Sequence, residues 1–452
     1  MTQDHIIQKL KNRYHLLQSL IANLKHGFPA RELKVIAVTG TDGKTTTTSM
    51  IYHVLKEAGL KVGYISTIEA KIADETLDTG LHVTTPDPWD VPYYLDKMRR
   101  KGITHVVLES TSSGLQQNRL FGIKFDAATI TNIKTDHLDY HGTWENYAAA
   151  KYLVAKKLKE KGLLVLNGDD KKSAEWLKEK LIEDKLADKI QIQWFRKDML
   201  SSLQEKVDGM SFTFKSVAYQ LPVIGSYNQE NALAAISICS RYVSEDKIVN
   251  ALKTLPVPKG RMEVIQKEPY TIIIDFAHTG HALDQALKAV SNIKPSNSNL
   301  ITVFGCAGRR DRSRRSMGEI AARYSNSIVI TAEDPRDESL ADINSEIIKY
   351  AQKHSALLVT RFKDSEDYQQ RKGKYIQDQK NNKSKILMYA FDQEAVNSRF
   401  DAIDFACSIA RKGDIVFITG KAHEQSLAFG NTEYPWSDHE AVARVIANHE
   451  SK

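Results

Sequence analysis

Apolar positions along the chain follow two different periods, and the change comes near residue 33. Before it, Ile6, Leu10, Leu16, Leu17, Leu20, Ile21 and Leu24 recur near helical spacing among charged residues, predicting one amphipathic helix that ends at Gly27 and Pro29. After it, short apolar runs ("VIAVTG", "THVVLES", "AATITNI", "GLLVLNGDD") alternate with helical stretches from Leu33 to about Leu255. That alternation predicts a mostly parallel sheet flanked by helices. The run "TLPVPKG", residues 254–260, holds two prolines and a glycine and reads as a domain linker. Beyond it the alternation restarts with "YTIIIDFAH", "NLITVFGCAG", "SIVITAEDP", "ALLVTRF" and "GDIVFITGKAHE", the strands of a second α/β domain. The polar, Lys-rich stretch 364–385 is expected to be a solvated surface segment, and no repeat of fixed period is present. The predicted organisation is a helix and linker at 1–32, a central domain at 33–256 and a C-terminal domain at 257–452.

Composition narrows the class without choosing a function. At 452 residues the chain is too long for one core, and 42% hydrophobic with 26% charged residues is globular usage. The net charge of +7 suits an anionic substrate as well as a nucleic acid, but basic residues are not clustered with aromatics, which argues against nucleic acid. Cys239, Cys306 and Cys407 form no C-x-x-C pair, so neither a disulfide framework nor a structural zinc site is indicated, and a reducing cytoplasm fits. Charges interrupt the N-terminus throughout and leave no apolar core of signal-peptide type, and no run approaches the ~18 apolar residues of a membrane span.

The chemistry concentrates after strands. In "VIAVTGTDGKTTTTSM" an apolar strand runs into a glycine turn and a helix, an arrangement that aims backbone N–H groups and the positive helix end at one anion. Gly40 and Gly43 would permit the tight backbone, Lys44 would reach β/γ-phosphates, and the Thr45 hydroxyl would face Mg2+. The pattern G-x-x-x-x-G-K-[ST] fails at Val38, leaving an ordinary strand–turn–helix junction as the alternative. Glu109 closes a strand as a metal ligand or a solvated carboxylate. Asp136, His137, Asp139 and His141, followed by a helix carrying Lys151, form either a Mg2+ site or a polar loop with a helix cap.

The motifs "VTGTDGKTTT", "TTPD", "LESTSSGL", "TNIKTDHLDYHGTWENYAAAK", "GSYNQENALAA", "GRME", "IIIDFAHT", "VFGCAGRRDRSRR", "TAEDPR" and "GKAHE" occur in the order seen in the Mur ligases, and the chain most resembles their MurE type. That family uses the shorter T-G-T-x-G-K-T-T loop, so Val38 is no objection. The resemblance implies a P-loop-type ATPase domain followed by a Rossmann-like C-terminal domain that binds an amino acid. It implies ATP and Mg2+, a nucleotide-linked muramoyl dipeptide as acceptor and a diamino acid as the second substrate. The acceptor carboxylate would attack the γ-phosphate to give an acyl phosphate, which the amine then opens. Two anions must meet, so cations are needed where charge develops.

Carried over by position, Gly40, Thr41, Asp42, Gly43, Lys44, Thr45 and Thr46 would bind ATP, with Asn231 on the adenine side. Asp275 and His278 would close over the nucleotide, and Arg261 would touch the γ-phosphate. Glu109, His137 and Thr45 would hold Mg2+, with Lys151 as a carbamate. Thr84, Thr85, Ser112, Gln117 and Arg119 would bind the acceptor. Arg310, Asp334, Arg336, Gly420 and Glu424 would bind the diamino acid, the arginines pairing with carboxylates and Glu424 with a distal ammonium.

Departures bear on the substrates. Asp334 replaces the asparagine of D-N-P-R, and its extra carboxylate would favour lysine over meso-diaminopimelate while the retained Arg336 argues the reverse. Ser113 stands for a common histidine, Ala422 for the second glycine of G-K-G-H-E, and Gly280 for a proline. Where the family carries a UDP-binding domain of about a hundred residues, only a helix and linker precede the loop. The acceptor's UDP is then expected to rest on the remaining surface, the carrier to differ, or a partner protein to supply the domain. A folylpolyglutamate synthase-like enzyme and a scaffold with a vestigial ATP site are the alternatives. The latter would be expected to have lost Lys44, Glu109, His137 or Lys151.

Overall fold

The computed structural model describes residues 3–66, 69–77, 85–135, 138–309, 311–381 and 385–450. Four candidate site residues, Thr84, Asp136, His137 and Arg310, lie outside them. The chain divides into two compact units, residues 1–256 and 257–452, with the short segments 205–207 and 223–225 grouped with the second.

In the first unit, helix α1 (Gln3–Lys25) leads into a sheet built from β1 (Lys34–Thr39), β2 (Val62–Ile65), β3 (Ala70–Ile72), β4 (Glu75–Leu77), β5 (His105–Glu109), β6 (Phe125–Ile130), β7 (Leu158–Asn167) and β8 (Gln191–Phe195). The spatial order is β4-β3-β2-β5-β1-β6-β7-β8, parallel from β2 to β8, with β3 and β4 antiparallel at the edge. The helices are α2 (Lys44–Glu57), α3 (Asp90–Arg100), α4 (Ser112–Gln116), α5 (Leu138–His141), α6 (Trp144–Lys156), α7 (Lys171–Glu183), α8 (Tyr227–Cys239) and α9 (Glu245–Lys253). The chain leaves β1 toward β2 but leaves β6 toward β7, so a crevice opens between the C-terminal ends of β1 and β6, where open α/β sheets bind ligands. β9 (Leu200–Lys206), β10 (Gly209–Phe214) and β11 (Val217–Leu221) form a separate three-stranded sheet that the apolar runs had not indicated.

The second unit is a seven-stranded sheet ordered β12-β13-β18-β14-β15-β17-β16. Its strands are β12 (Glu263–Gln266), β13 (Thr271–Asp275), β14 (Leu300–Phe304), β15 (Ser327–Ile330), β16 (Leu357–Phe362), β17 (Leu387–Phe391) and β18 (Ile415–Thr419). All neighbours are parallel except β12. A hairpin, β19 (Ser426–Phe429) and β20 (Thr432–Pro435), follows, and the helices are α10 (Gly280–Ile293), α11 (Met317–Tyr324), α12 (Leu340–Gln352), α13 (Ser365–Asn381), α14 (Asn397–Ile409) and α15 (Asp438–Glu450). The mixed α/β architecture with mostly parallel sheets follows the apolar runs because β13, β14, β15 and β18 are buried along their whole length.

The Lys-rich stretch corrects one expectation. It is not simply a solvated segment, because α13 spans most of it and buries Tyr368 and Tyr375, seven residues apart on one face, against Phe362. No described helix is long and apolar enough to cross a membrane.

Candidate active site

The glycine turn is shaped by what surrounds it. A Cβ on Gly40 would lie 1.8 Å from Thr131 Oγ1, and one on Gly43, whose φ is +79°, would lie 2.0 Å from Asn231 Oδ1. Neighbours from the end of β6 also fix the loop: the Asn132 carbonyl accepts from Thr41 N at 2.9 Å and Asn132 Oδ1 from Asp42 N at 2.9 Å. The Thr131 hydroxyl donates to Asp42 O at 2.6 Å, and the Tyr147 hydroxyl to Thr41 Oγ1 at 3.2 Å. α2 begins at Lys44 with no side-chain cap and no acidic residue in its first turn, so its end favours an anion. Thr131, Asn132 and Tyr147 were not singled out in the sequence. For Thr131 and Asn132 the signal is position, directly after the strand beside β1, whereas Tyr147 comes from α6, one turn before Lys151.

Lys44, Thr45, Glu109 and Lys151 converge on this loop. The Lys44 ammonium donates to Gly40 O at 3.0 Å and Thr41 O at 2.8 Å. Glu109 ends β5 in register with Val38, and its buried carboxylate accepts the Thr45 hydroxyl at 3.0 and 3.1 Å. Lys151, buried on α6, donates to Gly40 O at 2.6 Å and lies over the Tyr147 ring at 4.3 Å. Thr46 is buried beside them, and Asn231, held by Asn228 at 2.8 Å, accepts from Thr47 at 3.3 Å. Among the described residues no group of three or more His, Cys, Asp or Glu gathers as a metal cage. Mg2+ at phosphate sites takes one or two protein oxygens plus the phosphates, and a hydroxyl beside a carboxylate is such a hard-oxygen set.

Four expected acceptor residues form a linked patch. Thr85 Oγ1 pairs with Thr111 Oγ1 at 2.9 Å, Thr85 O accepts from Arg119 Nη1 at 2.9 Å, and Arg119 Nε donates to Gln117 Oε1 at 2.9 Å. Gln117 Nε2 donates to the Tyr140 hydroxyl at 2.9 Å, Tyr140 stacks edge-on against His141, and His141 Nε2 meets Ser112 Oγ at 3.0 Å.

In the second unit, Asp275 at the end of β13 accepts from Met262 N and Ala277 N, both at 2.8 Å, while burial pushes its carboxyl up. Arg261 stacks on Phe276 at 4.7 Å, and His278 Nδ1 pairs with Phe276 O at 2.8 Å. Around Asp334 the sequence expectation changes. Its two oxygens accept from the buried Lys421 ammonium at 2.8 and 2.9 Å, and Oδ1 also accepts Ala428 N at 2.8 Å. Asp334 is therefore not a bare extra charge. Burial opposes the charge on Lys421, but Glu424 and Asp334 outweigh it and hold the ammonium above its ordinary range. Arg336 is anchored by its backbone to the β19 edge and stands 3.7 Å from Glu433. Glu333, which sequence reasoning passed over, is buried with Oε2 so placed that a Cβ on Gly420 would meet it at 2.8 Å. Burial raises it to about 8 against the pull of Arg399, Lys421 and Arg314. Arg399, wholly buried, ties the layer together by donating to Ala332 O, Thr419 O and both Asp438 oxygens.

Residues 38–239 match the Mur ligase middle domain, and residues 260–379 match the Mur ligase, glutamate ligase domain. The chain is similar to a UDP-N-acetylmuramoyl-L-alanyl-D-glutamate--2,6-diaminopimelate ligase from Aquifex aeolicus, 33% identical over 426 residues, covering 93% of this chain and 79% of that protein. A UDP-N-acetylmuramyl-tripeptide synthetase from a Roseiflexus species is 31% identical, with 93% of this chain and 80% of that protein covered. Among solved structures, a UDP-N-acetylmuramoyl-L-alanyl-D-glutamate--2,6-diaminopimelate ligase superposes with a TM-score of 0.63 at 25% identity, covering 98% of this chain and 83% of that one.

Proposed function

This chain belongs to the Mur ligase family, and we propose that it joins a diamino acid to a UDP-N-acetylmuramoyl-L-alanyl-D-glutamate acceptor in peptidoglycan precursor synthesis. It is an ATP-dependent ligase. The observation that carries the reaction type is the meeting of Lys44, Thr45, Glu109 and Lys151 at one glycine loop. The acceptor carboxylate attacks the γ-phosphorus, ADP leaves, and the amine then attacks the acyl carbon of the acyl phosphate. Phosphate departs as the amide forms and the amine gives up a proton. Lys44 exchanges its loop carbonyls for phosphate oxygens, and the loop N–H groups and the α2 end take up the charge that develops. Thr45 and Glu109 would hold Mg2+, with His137 and a carbamate on Lys151 completing the set; when bound, the ion neutralises triphosphate charge. The Arg119–Gln117–Tyr140 patch receives the acceptor, and the protein works in the cytoplasm, where its buried thiols stay reduced.

For the second substrate the reading is meso-diaminopimelate. Because Lys421 and Ala428 N already occupy Asp334, its charge no longer opposes a distal carboxylate, and Arg336, at 3.7 Å from Glu433, would exchange that long contact for a bidentate pair with one. The test is ATP-dependent phosphate release with UDP-muramoyl dipeptide, offering lysine and meso-diaminopimelate separately and weighing the product. A tripeptide made faster from diaminopimelate is expected. A preference for lysine overturns the amino-acid reading, and no tripeptide from either overturns the acceptor reading. Lys151→Ala is expected to abolish turnover, and full activity in that variant would rule out the carbamate.

A further inference from the structure

Helix α1 carries two faces with different employment. Ser19, Ala22 and Asn23 are buried: the Ser19 hydroxyl donates to Asn118 O at 2.9 Å, Asn23 Nδ2 to Phe121 O at 3.0 Å, and His26 Nδ1 pairs with Asp96 Oδ2 at 3.2 Å. The opposite face presents Tyr14, Leu17, Ile21 and Leu24, exposed by 60%, 55%, 44% and 62%. Single exposed apolar residues are ordinary, but these four fall at steps of three, four and three, and the sequence continues that spacing back to Leu10 and Ile7. In the sequence the six positions repeat as heptads, with Ile7, Tyr14 and Ile21 at one set of positions and Leu10, Leu17 and Leu24 at the other, and the exposed seam of the structure is its part from Tyr14 to Leu24. Leucine throughout the second set, with isoleucine at two of the three positions of the first and Tyr14 at the third, favours a two-stranded coiled coil. The exposed part, Tyr14 to Leu24, runs about 15 Å at 1.5 Å per residue.

The flanking positions select the partner. Lys11, Arg13 and Lys25 are exposed beside the seam, and of the remaining flanking positions Ile6, Gln18, Leu20 and Gly27 bring no carboxylate, leaving Asp4, one turn before Ile7 in the sequence, as the single acidic one. A second copy would add three more cations to the same edge, so self-pairing is disfavoured, whereas a helix with Glu or Asp at its flanks would neutralise them. The stripe is a narrow seam rather than the broad, Trp- and Phe-bearing face of a helix that lies in a lipid interface. Because its other face is already docked, α1 is ordered before the partner arrives, which lets a seam under three heptads suffice. We propose that α1 is a docking helix for another protein, whose matching helix has an apolar heptad seam flanked by carboxylates.

The test uses the full chain and two labelled peptides of about three heptads with the same Ile/Leu seam, one with Glu and one with Lys at every flanking position. Fluorescence anisotropy at low salt should show the Glu peptide binding at least ~10-fold tighter than the Lys peptide, a gap that narrows at ~0.5 M salt. The pair Leu17→Asp and Ile21→Asp should lose the Glu peptide while keeping the thermal melt and ATP turnover. Reversing Lys11, Arg13 and Lys25 to Glu should switch the preference to the Lys peptide. Equal binding of both peptides, or binding unaffected by the seam substitutions, overturns the proposal. So does a wild-type dimer in sedimentation, or cosedimentation with anionic vesicles, that the seam substitutions abolish.

Discussion

Replacing Glu333 by glutamine tests whether the buried carboxyl in the second unit is kept neutral by its surroundings. The side chain is 5% exposed, and burial lifts it from an ordinary 4.5 to about 8. A carboxyl whose folded value lies above its unfolded value contributes stability that is complete below pH 4.5 and lost as pH rises through about 8, because the unfolded chain ionises first. At ~1.36 kcal/mol per pH unit, the full interval corresponds to about 5 kcal/mol. Glutamine has the same shape and cannot ionise, so it escapes this loss. Urea denaturation of wild type and Glu333→Gln between pH 5.5 and 7.5, followed by far-UV circular dichroism, should show their stability difference moving toward the variant by about 2.7 kcal/mol. A difference that stays constant across that interval would refute the reasoning, and would mean that Arg399, Lys421 and Arg314 keep the carboxylate ionised in the folded state.

Three further outcomes follow from named contacts. Gly43→Ala must place a methyl 2.0 Å from Asn231 Oδ1 at a φ of +79°, a strain of about 1–3 kcal/mol, so nucleotide titration should show ATP binding weakened about 10- to 100-fold. Arg399→Met leaves Asp438 buried without its guanidinium, and urea melts should lose about 3–5 kcal/mol, whereas adding Asp438→Leu should recover part of that loss. Asp334→Asn brings back the asparagine of the D-N-P-R pattern but removes one of two carboxylates beside Lys421; stability should fall by about 1–3 kcal/mol and the KM for the amino acid should rise. Wild-type stability and KM in that variant would show that Glu424 alone suffices.

Local chemistry made the glycine turn legible in the sequence. An apolar strand, Gly40, Gly43 and Lys-Thr at a helix start are consecutive, and the backbone constraint they express acts over a few residues. The same holds for the apolar runs that became β1, β5, β6, β13, β14, β15 and β18, since the stretch of a strand covered on both faces reads as a near-continuous apolar run, with polar residues such as Lys34 and Glu109 at its ends. Tyr368 and Tyr375 were hidden because two apolar positions seven apart in a Lys-rich stretch leave too faint a stripe to read.

Other features exist only because the folded sheets bring distant segments side by side. Thr131 and Asn132 reach the loop because β6 lies next to β1, and Glu109 reaches Thr45 because β5 lies on the other side. Lys421 meets Asp334 across 87 residues, and Arg399 reaches the segment after β15 and the last residue of β18 together. In a parallel sheet the C-terminal ends gather whatever the crossover order makes adjacent, and that order is set by the packing of whole strands and helices. The residue types that do the chemistry were therefore written locally, while the charge each one carries and the partner that neutralises it were decided by burial and strand order in the tertiary structure.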